Sequence, residues 1–168
     1  MKNLKTLLLI AVFTLGVAGV TNAQKVGHID FEKLVAAMPQ TKTLKSNIEK
    51  LGKTYQDDIE GMGKKIEATQ KKYIAESQSQ TQQKNEDRAK ELQVEGAKLE
   101  QLRRTAYQDM QKRQNDGLQP IIEKAQKAIE EVAAAKGILY VLDASVGKGL
   151  LVKKGEDIYS AVKTKLGF

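Results

Sequence analysis

Between Thr41 and Lys136 the chain runs for about ninety-five residues as polar, heptad-like sequence, with no catalytic or cofactor motif in it. Apolar residues recur at Leu44, Ile48, Leu51, Tyr55, Ile59, Met62 and Ile66, steps of three and four that lay one stripe along a long helix. The stripe fades after Tyr73 and Ile74 into the run Glu76–Gln83, rich in Gln and Ser. It resumes at Leu92, Leu99, Leu102, Ala106, Met110, Leu118, Ile121, Ala125, Ile129 and Val132. A fold near Gln82 brings Ile66 opposite Leu99 and Ile59 opposite Ala106. Each arm of such a hairpin is about 40 residues, roughly 60 Å at the helical rise. No core this chain can build is that tall, so the hairpin stands in solvent.

The charges agree with an exposed helix. Glu49–Lys53, Glu60–Lys64, Glu67–Lys71, Glu86–Lys90, Glu100–Arg104, Asp109–Arg113 and Glu123–Lys127 all place acid four residues before base. That order supports an isolated helix by about 0.2–0.5 kcal/mol per pair. Gly52, Gly61, Gly63, Gly96 and Gly117 interrupt the pattern, at up to about 1 kcal/mol each relative to Ala. They read either as tolerated weak spots or, at Gly61-Met62-Gly63 facing Gly96 or its neighbours, as a hinge.

The two ends differ from the middle. Lys2 and Lys5 precede a fourteen-residue apolar run, Leu7–Val20, and Thr21-Asn22-Ala23 supplies a small-residue cleavage site. A bilayer span needs about 20 apolar residues, so the reading is a secretory signal peptide cut after Ala23. No cysteine follows for a lipid anchor, and the chain has none for disulfides or thiolate metal sites. Loss of Lys2 and Lys5 takes the formal net charge from +7 to +5, a mildly basic exported protein.

Lys25–Asp30 reads as a first strand, with Val26, His28 and Asp30 on one face and Gly27 and Ile29 on the other. Phe31–Met38 is a brief helix stopped by Pro39, and Thr41 or Thr43 is the expected cap of the long helix. Pro120 kinks or restarts the second arm, and Lys136-Gly137 ends it. Ile138–Leu142 is the strongest strand signal, Asp143–Gly149 a turn, and Leu150–Lys153 a third strand. Glu156–Leu166 is an amphipathic helix with Ile158, Ala161, Val162 and Leu166 inward. So small a sheet is marginal alone. It is expected to assemble with copies of itself through Val26, Ile29, Ile138, Tyr140, Leu142 and Leu151.

The fold class is therefore α+β: signal peptide 1–23, a β-body from 24–40 and 137–168, and a helical hairpin 41–136 with its tip near 77–86. Catalysis has little to work with, since His28 is the only histidine, and no cofactor or metal site is expected. Gly147-Lys148-Gly149 lacks the frame of a phosphate loop and reads as a turn. Lys64-Lys65, Lys71-Lys72, Arg103-Arg104 and Lys112-Arg113 raise nucleic acid as a partner. From Thr41 to Asp116, however, 16 basic residues are interspersed with 13 acidic ones, the mark of a solvated face, and nucleic acid is set aside. Tyr73 and Ile74, off the continuous stripe, read as hairpin packing or as a contact for unfolded chains.

Three segments resemble a known family. Lys25-Val26-Gly27-His28-Ile29-Asp30 is similar to the first strand of the Skp (OmpH-like) periplasmic chaperones. Gly137 through Ser145 resembles their central strand and turn. Asp157-Ile158-Tyr159-Ser160-Ala161-Val162 resembles their closing helix, with Tyr159 where Thr is usual. The likeness spans the mature chain. It implies a homotrimer whose strands form a central β-barrel and whose hairpins extend as tentacles around a cavity. It also implies a periplasmic, ATP-independent holdase for unfolded outer-membrane proteins. No residue-by-residue match to a lipopolysaccharide-binding motif is present, and peripheral contact with envelope lipids stays open.

A holdase works by many weak contacts. Met62, Ile66, Tyr73 and Ile74 are the candidate client contacts, and Lys64, Lys65, Lys71 and Lys72 the attracting charges. The alternatives are a coiled-coil envelope spacer or adaptor with one folded partner and, third, a basic polyanion binder.

Overall fold

The structure, a computed structural model, describes residues 25–168. The expected signal peptide and its cleavage site lie outside the described residues. Strand β1 (Val26–Ile29) leads through Asp30 into helix α1 (Phe31–Ala37). Asp30 does not extend the strand: its carboxylate accepts from Lys33 N–H and caps α1. Helix α2 (Pro39–Glu76) and helix α3 (Gln82–Lys136) are the two arms, joined by a 3₁₀ turn at Ser77–Ser79. Strand β2 (Tyr140–Asp143), strand β3 (Glu156–Asp157) and helix α4 (Tyr159–Leu166) complete the chain.

Pro39 opens the long helix as well as closing the short one. It occupies the first turn of α2, where its missing N–H has no intrahelical partner to lose. Neither threonine caps that helix. Thr41 Oγ1 donates to the Val35 carbonyl, and Thr43 Oγ1 donates back to the Pro39 carbonyl one turn away. The other arm begins as an N-cap demands, Thr81 Oγ1 accepting from Lys84 N–H. Helix α3 runs unbroken through Pro120.

The arms are about 57 Å and about 82 Å long at the helical rise. They differ because α3 continues past the hairpin into the body. Contacts across the arms fix the register: Tyr55 bonds Asp109, Tyr73 bonds Glu91, and Asn85 Nδ2 donates to the Ser77 carbonyl. This spacing sets Ile59 and Ile66 within about one residue of the expected partners Ala106 and Leu99. No residue of α2 is buried, and Ala106 is the single buried residue of α3 before Ile121.

The core lies at the hairpin's base. Leu34, Met38, Ile158 and Val162 are fully enclosed, packed with Ile29, Ile121, Ala125, Val132 and Ile138. The sheet has the order β2–β1–β3 with both pairs parallel. Val26 pairs with Tyr140 and Ile29 with Asp143, while Gly27 and His28 pair with Glu156 and Asp157. Parallel neighbours need a crossover, and here both arms are inserted in the crossover from β1 to β2.

Three boundaries differ from the sequence reading. Ile138 is not strand but helix cap: Gly137 takes the left-handed conformation (φ 66°), and Ile138 N–H returns to the Ala133 carbonyl. The strand therefore starts at Tyr140 and includes Asp143. Leu150–Lys153 is not a strand within this chain. A side chain on Gly155 would come within 2.5 Å of the Val26 carbonyl oxygen, so the returning chain makes its close approach to β1 there. The third strand is accordingly Glu156–Asp157. The closing helix then starts at Tyr159, whose N–H donates to the Asp157 carboxylate.

Candidate functional site

The arms offer a surface rather than a pocket. Met62, Ile66 and Tyr73 lie half-buried along the seam, whereas Ile74 points away from it and is 65% exposed. Tyr73 is tied into the tip. Its hydroxyl donates to Glu91, and the Arg88 guanidinium lies 4.4 Å from its ring centre. Arg88 also bonds Glu76 on the facing arm. The Glu91 hydrogen bond, with burial and the Glu91 charge adding, raises the Tyr73 hydroxyl above its ordinary pKa. This geometry suits the packing reading of Tyr73 and leaves Ile74 as the accessible member of the set.

Lys64, Lys65, Lys71 and Lys72 are all exposed. Lys64 pairs with Glu60 and Lys71 with Glu67, while Lys65 and Lys72 have no carboxylate within 4.0 Å among the described residues. Of the expected acid-before-base pairs, these two and Asp109–Arg113 close. Glu49 pairs with Lys45 and Glu100 with Arg103, so a nearer competitor displaces the expected partner. Arg104 donates to Gln101, leaving its charge without a carboxylate among the described residues.

The glycines fall into two groups. Gly52 and Gly117 are packed: a Cβ on Gly52 would stand 3.2 Å from Met110 Cε, and one on Gly117 2.4 Å from Leu44 Cδ1. Gly61, Gly63 and Gly96 would meet nothing within 4 Å. Their presence has no packing cause. The register places Gly96 across from residues near 68, nearer the tip than Gly61 and Gly63.

In the body, Ile29 and Ile138 belong to the core, whereas Val26, Tyr140, Leu142 and Leu151 are exposed. Exposed apolar residues that sequence reasoning passed over are Val94 and Tyr107 on α3, and Leu139, Val146 and Val152 around the sheet. Val94 and Tyr107 were detectable as apolar side chains out of step with the stripe of their helix. Val146 and Val152 lie in the connection between β2 and β3, where no periodicity marks them.

At the sheet's upper end, Ser145 Oγ lies within hydrogen-bond distance of both Asp30 and Asp143, and accepts from Glu32 N–H. Burial pushes the Asp143 carboxyl up, but bonds from the Ser145 hydroxyl and N–H and from Phe31 N–H outweigh it and hold the group below its ordinary pKa. This network joins β1, α1 and β2, and it has the chemistry of a structural pin. Among the described residues there is no cluster of His, Asp and Glu able to hold a metal ion, and no helix long and apolar enough to cross a membrane.

No curated protein matches the chain. A family model described as outer membrane protein (OmpH-like) matches residues 25–166, which takes in the sheet, both arms and the closing helix. The chain belongs to the OmpH-like family.

Proposed function

We propose that this protein is a periplasmic, ATP-independent holdase that takes up unfolded outer-membrane proteins between its arms and prevents their aggregation. The observation that carries the reading is the poverty of the arms. Two helices of 38 and 55 residues project from the body, yet their paired stretch buries little beyond Ala106. An arm without a core is available for contact along its length, and the OmpH-like family supplies the class of client.

Retention then comes from many weak contacts at high local concentration. Ile74, with Met62 and Ile66 at the seam, contributes apolar contact, and Lys64, Lys65, Lys71 and Lys72 draw acidic clients. Gly61, Gly63 and Gly96 are the joints at which an arm bends to suit clients of different size. The body trimerises through its exposed apolar residues, Val26, Tyr140, Leu142 and Leu151, so that three arms enclose a cavity. Export through a signal peptide cut after Ala23 delivers the chain to the periplasm.

Native mass spectrometry of the mature protein, alone and with a urea-diluted outer-membrane β-barrel protein, tests this reading. A trimer carrying one client that stays soluble is the expected result; a monomer, or a trimer that ignores the client, overturns it. The spacer or adaptor reading draws on the fixed tip geometry of Tyr73, Arg88 and Glu76, which would suit one folded partner. Binding to a single folded envelope protein, with no suppression of aggregation, is what that reading requires.

A further inference from the structure

The hairpin has two flanks of opposite chemistry. On α2, Gln56, Ile59, Gly63, Ile66, Gln70 and Ile74 follow at steps of three and four, so they line one side of the seam without a charge among them. On α3 the same side carries Ala89, Gln93, Gly96, Tyr107, Gln111 and Gln114, interrupted by one ion pair, Glu100 with Arg103. At the foot of this flank a notch of about 300 Å³ opens between Leu44 and Ile48 of α2 and Gln114 and Leu118 of α3. Its two charged residues, Lys45 and Glu49, pair with each other. The opposite flank is charged, with Asp58, Lys65 and Lys72 on α2 and Glu91, Lys98 and Asp109 on α3. Both seam tyrosines turn their hydroxyls that way, Tyr55 to Asp109 and Tyr73 to Glu91.

We propose that an extended, uncharged segment of an unfolded client lies along the neutral flank. The inference rests on the holdase reading above and names the surface that does the holding. Ile74 and Tyr107 stand out from this flank, 65% and 66% exposed. Between their levels lie Gly63 and Gly96, where a Cβ would meet nothing within 4 Å, so the floor there is bare backbone that another chain can approach closely. The exposed amides of Gln56, Gln70, Gln93 and Gln114 both donate and accept, and so serve a client backbone running in either direction. Spacing fits a strand. Ile74 and Tyr107 are about 25 Å apart along the arm, and Tyr107 and the notch about 13 Å. At about 3.3 Å per residue these are about eight and about four residues of extended chain, both even, so all three anchors meet one face of it. A membrane-spanning β-strand of about ten residues, apolar on alternate positions, has that length and pattern. A charged segment is refused, because the flank would desolvate its ion without offering a partner.

The chain has no cysteine, so a single engineered one carries a photoreactive benzophenone at a chosen place. The mature protein is loaded with a urea-diluted outer-membrane β-barrel protein and irradiated. Labels at Gln70→Cys and Gln111→Cys should cross-link to the client about fivefold more than labels at Thr54→Cys and Thr105→Cys, exposed positions on the charged flank. Gly63→Lys and Gly96→Lys gain helix propensity and so keep the fold. Each sets a charge on the floor and should speed client release about tenfold. Gly61→Lys, two residues away, adds the same charge to the other flank and should stay within about twofold of wild type. Equal cross-linking from both flanks, or equal release from the three lysine variants, overturns the flank assignment and leaves the holdase reading standing. A wild-type protein that takes up no client overturns both.

Discussion

Leu44 seats against the backbone of Gly117: a Cβ on that glycine would lie 2.4 Å from Leu44 Cδ1 and 3.3 Å from Leu44 Cγ. The contact locks the base of the two arms where α2 leaves the body. Gly117→Ala gains helix propensity but displaces a half-buried Leu, and overpacking of this kind costs about 1–3 kcal/mol. The net expectation is destabilisation by about 1 kcal/mol in urea unfolding. Adding Leu44→Ala should cost less in the Gly117→Ala background than in wild type, since the side chain to be displaced is gone.

Gly61, Gly63 and Gly96 should behave in the opposite sense. Nothing stands where their Cβ atoms would go, so Ala at each should stabilise its helix by about 0.5–1 kcal/mol. If these positions are joints, the triple alanine variant is more stable and poorer at accepting large clients. Hydrogen exchange at Gly61–Lys64 of the wild type should be faster than in the flanking turns. Equal exchange would remove the hinge.

Which glycines are packed and which are open cannot be read from the chain, because the answer depends on what stands across the seam. The stripe from Leu44 to Ile66 was legible, since spacings of three and four are local and one helix suffices to reveal them. The turn at Ser77–Thr81 was legible for the same reason. The third strand was not: its two-residue pairing is set by the approach of Gly155 to the Val26 carbonyl, a tertiary event with no pattern of its own. The Leu150–Lys153 signal is local β-propensity, and it forms no strand in the chain. Tyr73, off the stripe, left hairpin packing and client contact both open, because its neighbours across the seam are not written in the chain. Its hydroxyl and ring find Glu91 and Arg88, neighbours three residues apart on one face of α3.

Acid should loosen the arms at their middle. Asp109 takes a hydrogen bond from Arg113 and another from Tyr55, and both hold its carboxyl below the ordinary value. A carboxylate lowered on folding contributes stability that is present above its unfolded pKa, near 4, and is lost as pH falls through the folded value. In the body, Glu156 is lowered by Lys136 first and Lys25 second. Asp109→Asn and Glu156→Gln should each flatten the stability curve below about pH 4.5, measured by urea unfolding at fixed ionic strength. A curve as steep as that of wild type would place the acid response elsewhere.

Arg88, on α3, ties the tip to α2 through both charge and ring. Its side chain is 12% exposed, bonded to Glu76 and stacked on Tyr73. Arg88→Ala removes the stacked cation and the ion pair together, a loss of about 1–2 kcal/mol of local stability. Amides of residues 73–91 should exchange faster while those near Leu34 and Ile158 stay unchanged, because the tip and the core share no contacts. A fall in global stability of the same size would mean the arms unfold as one unit with the body.

Client capture separates charge from apolar contact by their response to salt. Replacing Lys64, Lys65, Lys71 and Lys72 with Ser should slow uptake of an acidic outer-membrane protein about tenfold at low ionic strength and little at 0.5 M salt, where the Debye length is well below 10 Å. Replacing Ile74, Val94 and Tyr107 with Ser should leave the association rate intact and speed release, at either salt concentration. All three side chains are exposed in the free chain, so their loss should leave the fold undisturbed. The proposed holdase would have to recruit at distance and hold at contact, and this pair of variants assigns the two tasks to different residues. If the lysine variant captures at the wild-type rate in low salt, electrostatic recruitment is absent and the apolar residues alone must account for uptake.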